Sequence, residues 1–275
     1  MELKVVRYDV ADRVATVTLD RPQRLNSWTG RMHTEYRWAL AQAENDPAVR
    51  VIVVTGAGRA FCAGADSTAL EGHIEKGGYD AGIREELAKP GYGVRPEFDE
   101  NFAFQFGMTK PIIAAINGPA AGVGLVIACY ADLRFAAAGA KLTTAHGKLG
   151  LPAEYGLSWL LPRLIGLTYA NDFLLSSRAI LAEEAANMGL VNAVLPQEDL
   201  LPHTYAYARE LATKVSPSSM RETKRQVYAD QHGDVGASVR ESEALLARMM
   251  TEPDFAEGVR AFVGKRPPEF TDPGV

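Results

Sequence analysis

Cysteine is scarce in this 275-residue chain: Cys62 and Cys129 lie far apart, outside any CxxC or Cys/His cluster. That argues against a disulfide framework and a zinc site, and makes a reducing cytoplasm the expected compartment. Basic charge is not in excess either, since 29 Lys and Arg face 34 Asp and Glu for a formal net charge of -5. Non-specific nucleic-acid binding is driven by phosphate neutralisation, so no nucleic-acid partner is expected. No apolar run approaches the ~20 residues a membrane-spanning helix needs, because the best candidate is broken by Lys110, Pro111, Asn117 and Pro119. The opening MELKVVRYDVADRVATVTLDRP carries acidic groups early and alternates apolar with polar residues. It matches neither a secretory signal nor an Arg-rich transit peptide, and no membrane partner is expected. A Gly-Lys-Ser/Thr phosphate loop and a complete dinucleotide glycine pattern are also missing.

What is present is a large apolar fraction, 47 %, enough for one substantial domain with or without a helical appendage. VATVTL, residues 14–19, alternates as a half-exposed strand does, and VIVVTG, residues 51–56, is continuous enough for a strand buried on both faces. Between them, residues 29–44 place Met32, Tyr36, Ala39, Leu40 and Ala43 at helical spacing, stopped by Asn45-Asp46-Pro47. Strand, Gly-rich turn and apolar helix recur over PIIAAING and GLVIACYAD, followed by LRFAAA, which predicts an α/β layered or coiled architecture. Residues 71–101, rich in Gly and charge, read as a mobile excursion or a tolerated surface insertion. From Ser176 onward the chain turns helical, with Ser216-Pro217 as one helix start and Thr251-Glu252-Pro253-Asp254 as a capping-box variant. EALLARMM with Phe255, Val259, Phe262 and Val263 is too much apolar surface to leave wet, so the tail packs on the body or on another subunit.

Two loops carry the chemistry. TGAGRAFCAGAD, residues 55–66, follows a buried strand and lets a ligand approach its main chain. NGPAAGVG, residues 117–124, leads into an apolar helix whose first N–H groups lack partners and favour negative charge. Each alone reads first as a tight turn. Two donors converging on one oxygen form an oxyanion hole. A small anionic ligand would also need local cations, which Arg21, Arg24, Lys265 and Arg266 supply near the two ends.

In order and spacing, LDRPQRLNS, VIVVTGAGRAFCAGAD, KPIIAAINGPAAGVGLVIACYADLRFAA, LPRLIG, AANMGLVNAVLP and FAEGVRAFVGKRPPEF resemble the crotonase (enoyl-CoA hydratase/isomerase) superfamily over nearly the whole chain. The resemblance implies a spiral of ββα units over residues 1–200 and a helical region over 201–275 that joins subunits into trimers or hexamers. It implies an acyl-CoA substrate, with coenzyme A as part of the substrate, no other cofactor and no metal. By position, the oxyanion amides are those of Ala65 and Val123, beside Gly122. The main chain of Ala63, Gly64, Asp66 and Ser67 lines the CoA path, Phe262 and Lys265 reach CoA from the last helix, and Arg24 is a phosphate partner. Asp66 is expected to brace its loop.

The family's hydratases activate water with two glutamates, and those positions fall on Val126 and His146. Hydration by the usual pair is therefore not implied. Glu154, in GLPAEYG, stands where several isomerases of the family carry one acidic residue, and is the expected catalytic base. Val126 would give it an apolar surround, and His146 would position water, orient Glu154, or serve as a structural hydrogen-bonding residue. Tyr155 and Trp159 are candidates for the acyl pocket or for ordinary core. The expected activity is isomerase-like single-base proton transfer on an enoyl thioester; an atypical hydratase, a thioester hydrolase and a silent CoA-binding assembly protein are the alternatives.

Overall fold

Apolar alternation becomes strand where the sequence predicts it, although Val14–Leu19 is largely covered on both faces rather than half-exposed: Ala15, Val17 and Leu19 enter the main core, and Val14 joins a second cluster with Leu200 and Ala208. In chain order the strands are Val6–Ala11 (β1), Val14–Leu19 (β2), Val51–Gly56 (β3), Ile112–Ile116 (β4), Ala120–Ala121 (β5), Leu133–Ala137 (β6), Lys141–Thr143 (β7), Ile180–Leu181 (β8) and Ala193–Leu195 (β9). The computed structural model describes residues 1–68, 71–72 and 96–271, so most of the expected excursion lies outside the described residues. The larger sheet runs β1-β2-β3-β4-β6-β9 and is parallel except for the antiparallel β1–β2 pair. The smaller runs β5-β7-β8. The chain moves from β4 in the larger sheet to β5 in the smaller, then to a helix, Val123–Cys129; β6 and β7 repeat the step before helix Leu157–Ser176. A bridge between Cys62 and Ala120 gives β3 the same step. This is a spiral of ββα units, and the fold is α/β.

Numbered along the chain, the helices are Gly30–Asn45 (α1), Phe104–Gly107 (α2), Val123–Cys129 (α3), Leu157–Ser176 (α4), Ala182–Asn187 (α5), Gln197–Lys214 (α6), Pro217–Ala229 (α7), Val235–Met249 (α8) and Pro253–Gly264 (α9). The Thr29 side chain accepts from Met32 N–H and starts α1. The two faces of the sheet take alternate residues. Ile52 and Val54 of β3 join the main core, while Val51 and Val53 pack with Leu200, Ala208 and Ala212 of α6. The division expected at residues 200 and 201 thus falls inside a helix that covers the sheet.

Ser216 caps α7 with Pro217 behind it, as the sequence predicts. The capping box at 251–254 does not form: Glu252 is the N-cap of α9 without a side-chain bond, and Asp254 instead accepts from Ser216 Oγ and Ser218 Oγ. That contact docks α9 on the start of α7. The outer face of the tail stays open, with Leu246, Val259, Phe262 and Val263 exposed. No helix among the described residues is long and apolar enough to cross a membrane.

Asn117, just past β4, holds the loop after β3. Its Nδ2 donates to Gly56 O at 2.8 Å and Gly58 O at 2.9 Å, and its Oδ1 accepts from Gly56 N–H at 3.1 Å. Asn117→Ala leaves these groups without partners inside the protein, at about 1–3 kcal/mol for each that stays dry. We expect a loss of about 3 kcal/mol in urea unfolding, and a loss below about 1 kcal/mol would contradict this account of the loop.

Candidate active site

The loops after β3 and β4 are joined at Cys62. Its N–H donates to Pro119 O at 3.1 Å, and its carbonyl accepts from Ala121 N–H at 2.9 Å. This approach admits no side chain at Gly124, where an added Cβ would stand 2.1 Å from Cys62 O.

Ala65 is held from the opposite side. Trp28 N–H donates to Gly64 O at 2.7 Å, and Asp66 N–H donates to Trp28 O at 3.0 Å. In this parallel bridge Trp28 engages the residues flanking Ala65, so Ala65's own N–H turns away from Trp28. It meets no acceptor among the described residues. Val123 opens α3, where first-turn N–H groups have no acceptor within the helix, and its N–H is likewise unmatched among the described residues.

Glu154 faces the same point. A Cβ on Gly122 would lie 3.8 Å from Glu154 Oε2 and 3.9 Å from Gly64 Cα, so the carboxylate, the start of α3 and the Ala65 loop meet at Gly122. The Glu154 turn is fixed by Tyr155, at φ 47° and ψ 40°, and by Tyr130 Oη, which donates to Tyr155 O at 2.7 Å. Among the described residues no hydrogen bond or ion pair engages the Glu154 carboxylate. Burial raises its pKa above the ordinary 4.5 because the charged form loses water without gaining a partner.

Asp66 has the opposite fate. Burial raises its pKa, but hydrogen bonds from Ser27 at 2.9 Å and Arg21 at 3.0 Å outweigh it, and the carboxyl stays below its usual range. It also accepts from Thr68 N–H. Asp66 therefore braces the loop as an ion.

The remaining expected residues divide. Arg24, Ala65 and Ser67 are exposed, Ala63 is partly exposed, and Gly64 and Gly122 are covered. Val126 has 0 % exposure and belongs to the main core, so it backs the site from within the core. His146 is 6 % exposed; its Nδ1 is enclosed without a partner, and no hydrogen bond joins it to Glu154. An orienting hydrogen bond from His146 to Glu154 is thus not made. Of the four terminal cations, Arg21 pairs with Asp66 and Arg266 with Glu257, whereas Arg24 and Lys265 pair with no acid among the described residues. Phe262, 85 % exposed, lies on the tail surface with Leu246 and Phe255. Trp159 stacks on His232 at 5.5 Å and under Arg163. No cluster among the described residues could hold a metal ion.

Sequence reasoning missed Trp28, Phe102 and Tyr130. Phe102 touches Tyr155, with ring centroids 4.9 Å apart, and Trp28, at 5.8 Å. Trp28, directly after LNS, offered a signal; Phe102, at the edge of the excursion, offered none.

The sequence model of the enoyl-CoA hydratase/isomerase family matches residues 9–273. A protein of Mycobacterium tuberculosis H37Rv described as a probable enoyl-CoA hydratase is 38 % identical over 267 residues, covering 94 % of this chain and 90 % of that one. The 1,2-epoxyphenylacetyl-CoA isomerase of Escherichia coli K12 is 34 % identical over 263 residues, covering 94 % and 95 %. The crystal structure of a probable enoyl-CoA hydratase/isomerase from Mycobacterium abscessus superposes with a TM-score of 0.84 at 31 % identity, covering 98 % and 99 %.

The contact at Gly124 gives a sharp expectation. Gly124→Ala must force the two loops apart, at a cost of about 3 kcal/mol or more. Thermal unfolding should show the loss and calorimetry a matching loss of acyl-CoA binding; a variant as stable as the parent would contradict the packing.

Proposed function

Because the chain belongs to the enoyl-CoA hydratase/isomerase family, we propose that it moves a double bond in an enoyl-CoA thioester with Glu154 as its single base. The Glu154 carboxylate takes a proton from C2 of a 3-enoyl thioester, the carbon next to the thioester carbonyl. The electron pair shifts to the thioester oxygen, in conjugation with the C3–C4 double bond, and the Ala65 and Val123 N–H groups hold the resulting dienolate. The protonated acid then returns its proton to C4, which leaves the double bond between C2 and C3, gives the 2-enoyl thioester and restores the carboxylate.

The observation that carries this reading is a half-buried carboxylate that, among the described residues, has no partner and faces two amides without acceptors across Gly122. An oxyanion donor is worth ~2.7–4 kcal/mol in the transition state, and a positioned base about 10²–10⁴-fold. Amides and base thus contribute comparably. Val126 and His146 stand at the two positions where the resemblance puts the hydratase glutamates, and this supports isomerisation over hydration.

Coenzyme A would run along the main chain of residues 63–67, with Arg24 as a phosphate partner. Phe262 and Lys265 would reach it from a neighbouring subunit, which fits the open apolar face of the tail. The proposed assembly is a homo-trimer or hexamer, and the proposed compartment is the cytoplasm, where the free, buried Cys62 and Cys129 would stay reduced.

Glu154→Gln should lower kcat on 3-enoyl thioesters by about 10²–10⁴-fold with KM little changed. The base must be ionised, so kcat/KM of the parent should fall as pH drops through a value above 4.5, and that limb should vanish in the variant. His146→Ala should cost less. Full activity in Glu154→Gln with collapse in His146→Ala, on 3-enoyl and 2-enoyl substrates alike, would move the chemistry to His146. Light scattering at micromolar concentration should give a trimer or hexamer; a monomeric mass would contradict the shared-subunit part.

A further inference from the structure

Phe102 is 1 % exposed and holds a left-handed backbone, φ 63°, that bulky side chains avoid. Such strain persists where surrounding packing imposes it. The ring meets Trp28 at 5.8 Å, His33 at 5.2 Å and Tyr155 at 4.9 Å between centroids. Two of these neighbours are tied to reacting groups. Trp28 brackets Ala65 by its two main-chain hydrogen bonds, and Tyr155 follows Glu154 in its turn. On the far side, Tyr130 Oη holds Tyr155 O, while Tyr130 N–H bonds Val126 O in the helix that Val123 opens.

A circuit therefore runs from Ala65 through Trp28, Phe102, Tyr155 and Tyr130 to Val123. Its other links are covalent or hydrogen-bonded; at Phe102 it closes by ring packing. The geometry points to Phe102 as a positioning residue, whose ring sets how far the Glu154 carboxylate stands from the Ala65 amide. This rests on the reading that Glu154 is the base. With the ring gone, the Glu154 turn loses its T-shaped support and can relax toward the space left behind. A displacement of about 1 Å at a reacting group costs on the order of 10²-fold in rate. Phe102 makes no hydrogen bond to residues 63–67, the CoA path, among the described residues, so ground-state binding should change little.

The surrounding groups keep the readout clean. His33 is held down to about 3 by burial and then by the Arg37 guanidinium, and the Tyr130 hydroxyl is pushed up to about 12 by burial. Neither changes charge in the range where Glu154 does.

The test compares Phe102→Leu with Phe98→Leu in the full chain. Phe98 is 4 % exposed on the same segment but packs on Tyr228 and His232, each at 6.4 Å. Phe102→Leu should lower kcat on a 3-enoyl thioester by about 10–100-fold, keep KM within about 3-fold, and shift the acid limb of kcat/KM toward the ordinary glutamate value as water reaches the carboxylate. Phe98→Leu should move none of these. In a Glu154→Gln background Phe102→Leu should cause no further loss, because the ring acts through the base. Phe102→Met, whose unbranched and flexible side chain fills irregular gaps, should show the same kcat-specific loss and replaces Leu if that variant melts too low to assay. Parental kcat in Phe102→Leu, an equal fall in Phe98→Leu, or a full additional loss in the Glu154→Gln background would overturn the proposal. Full activity of Glu154→Gln alone would instead remove the base assignment, and the positioning role with it.

Discussion

Two main-chain hydrogen bonds at Cys62, one given to Pro119 and one taken from Ala121, press the loop after β3 against the loop after β4. The rest of the site depends on that approach. It requires Gly124 to lack a side chain, it brings Ala65 and the start of α3 to a common point, and it leaves room there for one carboxylate from the next turn of the spiral. The parallel strands deliver both loops at the same end of the sheet, and Asn117 ties them at their base by filling three backbone partners at once. Backbone donors suit this task because they are rigid and already aimed, so little reorganisation is needed as charge develops on the oxygen.

Two carboxyl groups close to this point show how environment divides roles. Asp66 and Glu154 both lose water on folding, and for both that loss alone raises the pKa. Asp66 recovers it through Ser27 and Arg21 and becomes a fixed ion. Glu154 recovers nothing from the described residues. A carboxyl without partners destabilises its own charged form and is thereby a better proton acceptor. The same desolvation that makes Glu154 costly to the fold makes it suited to move a proton in both directions.

Much of this was legible in the sequence. The strands Val14–Leu19 and Val51–Gly56 follow from alternation and from a continuous apolar run, helix α1 from its spacing, and a layered or coiled α/β architecture from the recurrence of strand, turn and helix, whereas the ββα spiral was implied by the family resemblance. The donor loops were legible only as a pair and through the family resemblance, because each alone reads first as a tight turn. What stayed hidden depends on contacts across long sequence separations. Arg21 and Arg266 look like free cations until Asp66 and Glu257 are found beside them. Asp254 looks like a helix cap until Ser216 and Ser218 claim it. Phe102 sits beside a charged, Gly-rich stretch with no periodicity to place it, yet it joins Trp28 to Tyr155.

The central claim is that two backbone amides and one carboxylate converge on a bound thioester. A crystal structure of the protein with a saturated acyl-CoA, which presents the thioester but no double bond to move, tests it most directly. The account predicts the thioester oxygen within about 3 Å of both the Ala65 and Val123 nitrogens, with the carbons beyond it facing the Glu154 carboxylate. A thioester lying elsewhere, or an oxygen reached by only one amide with Glu154 turned away, would contradict it.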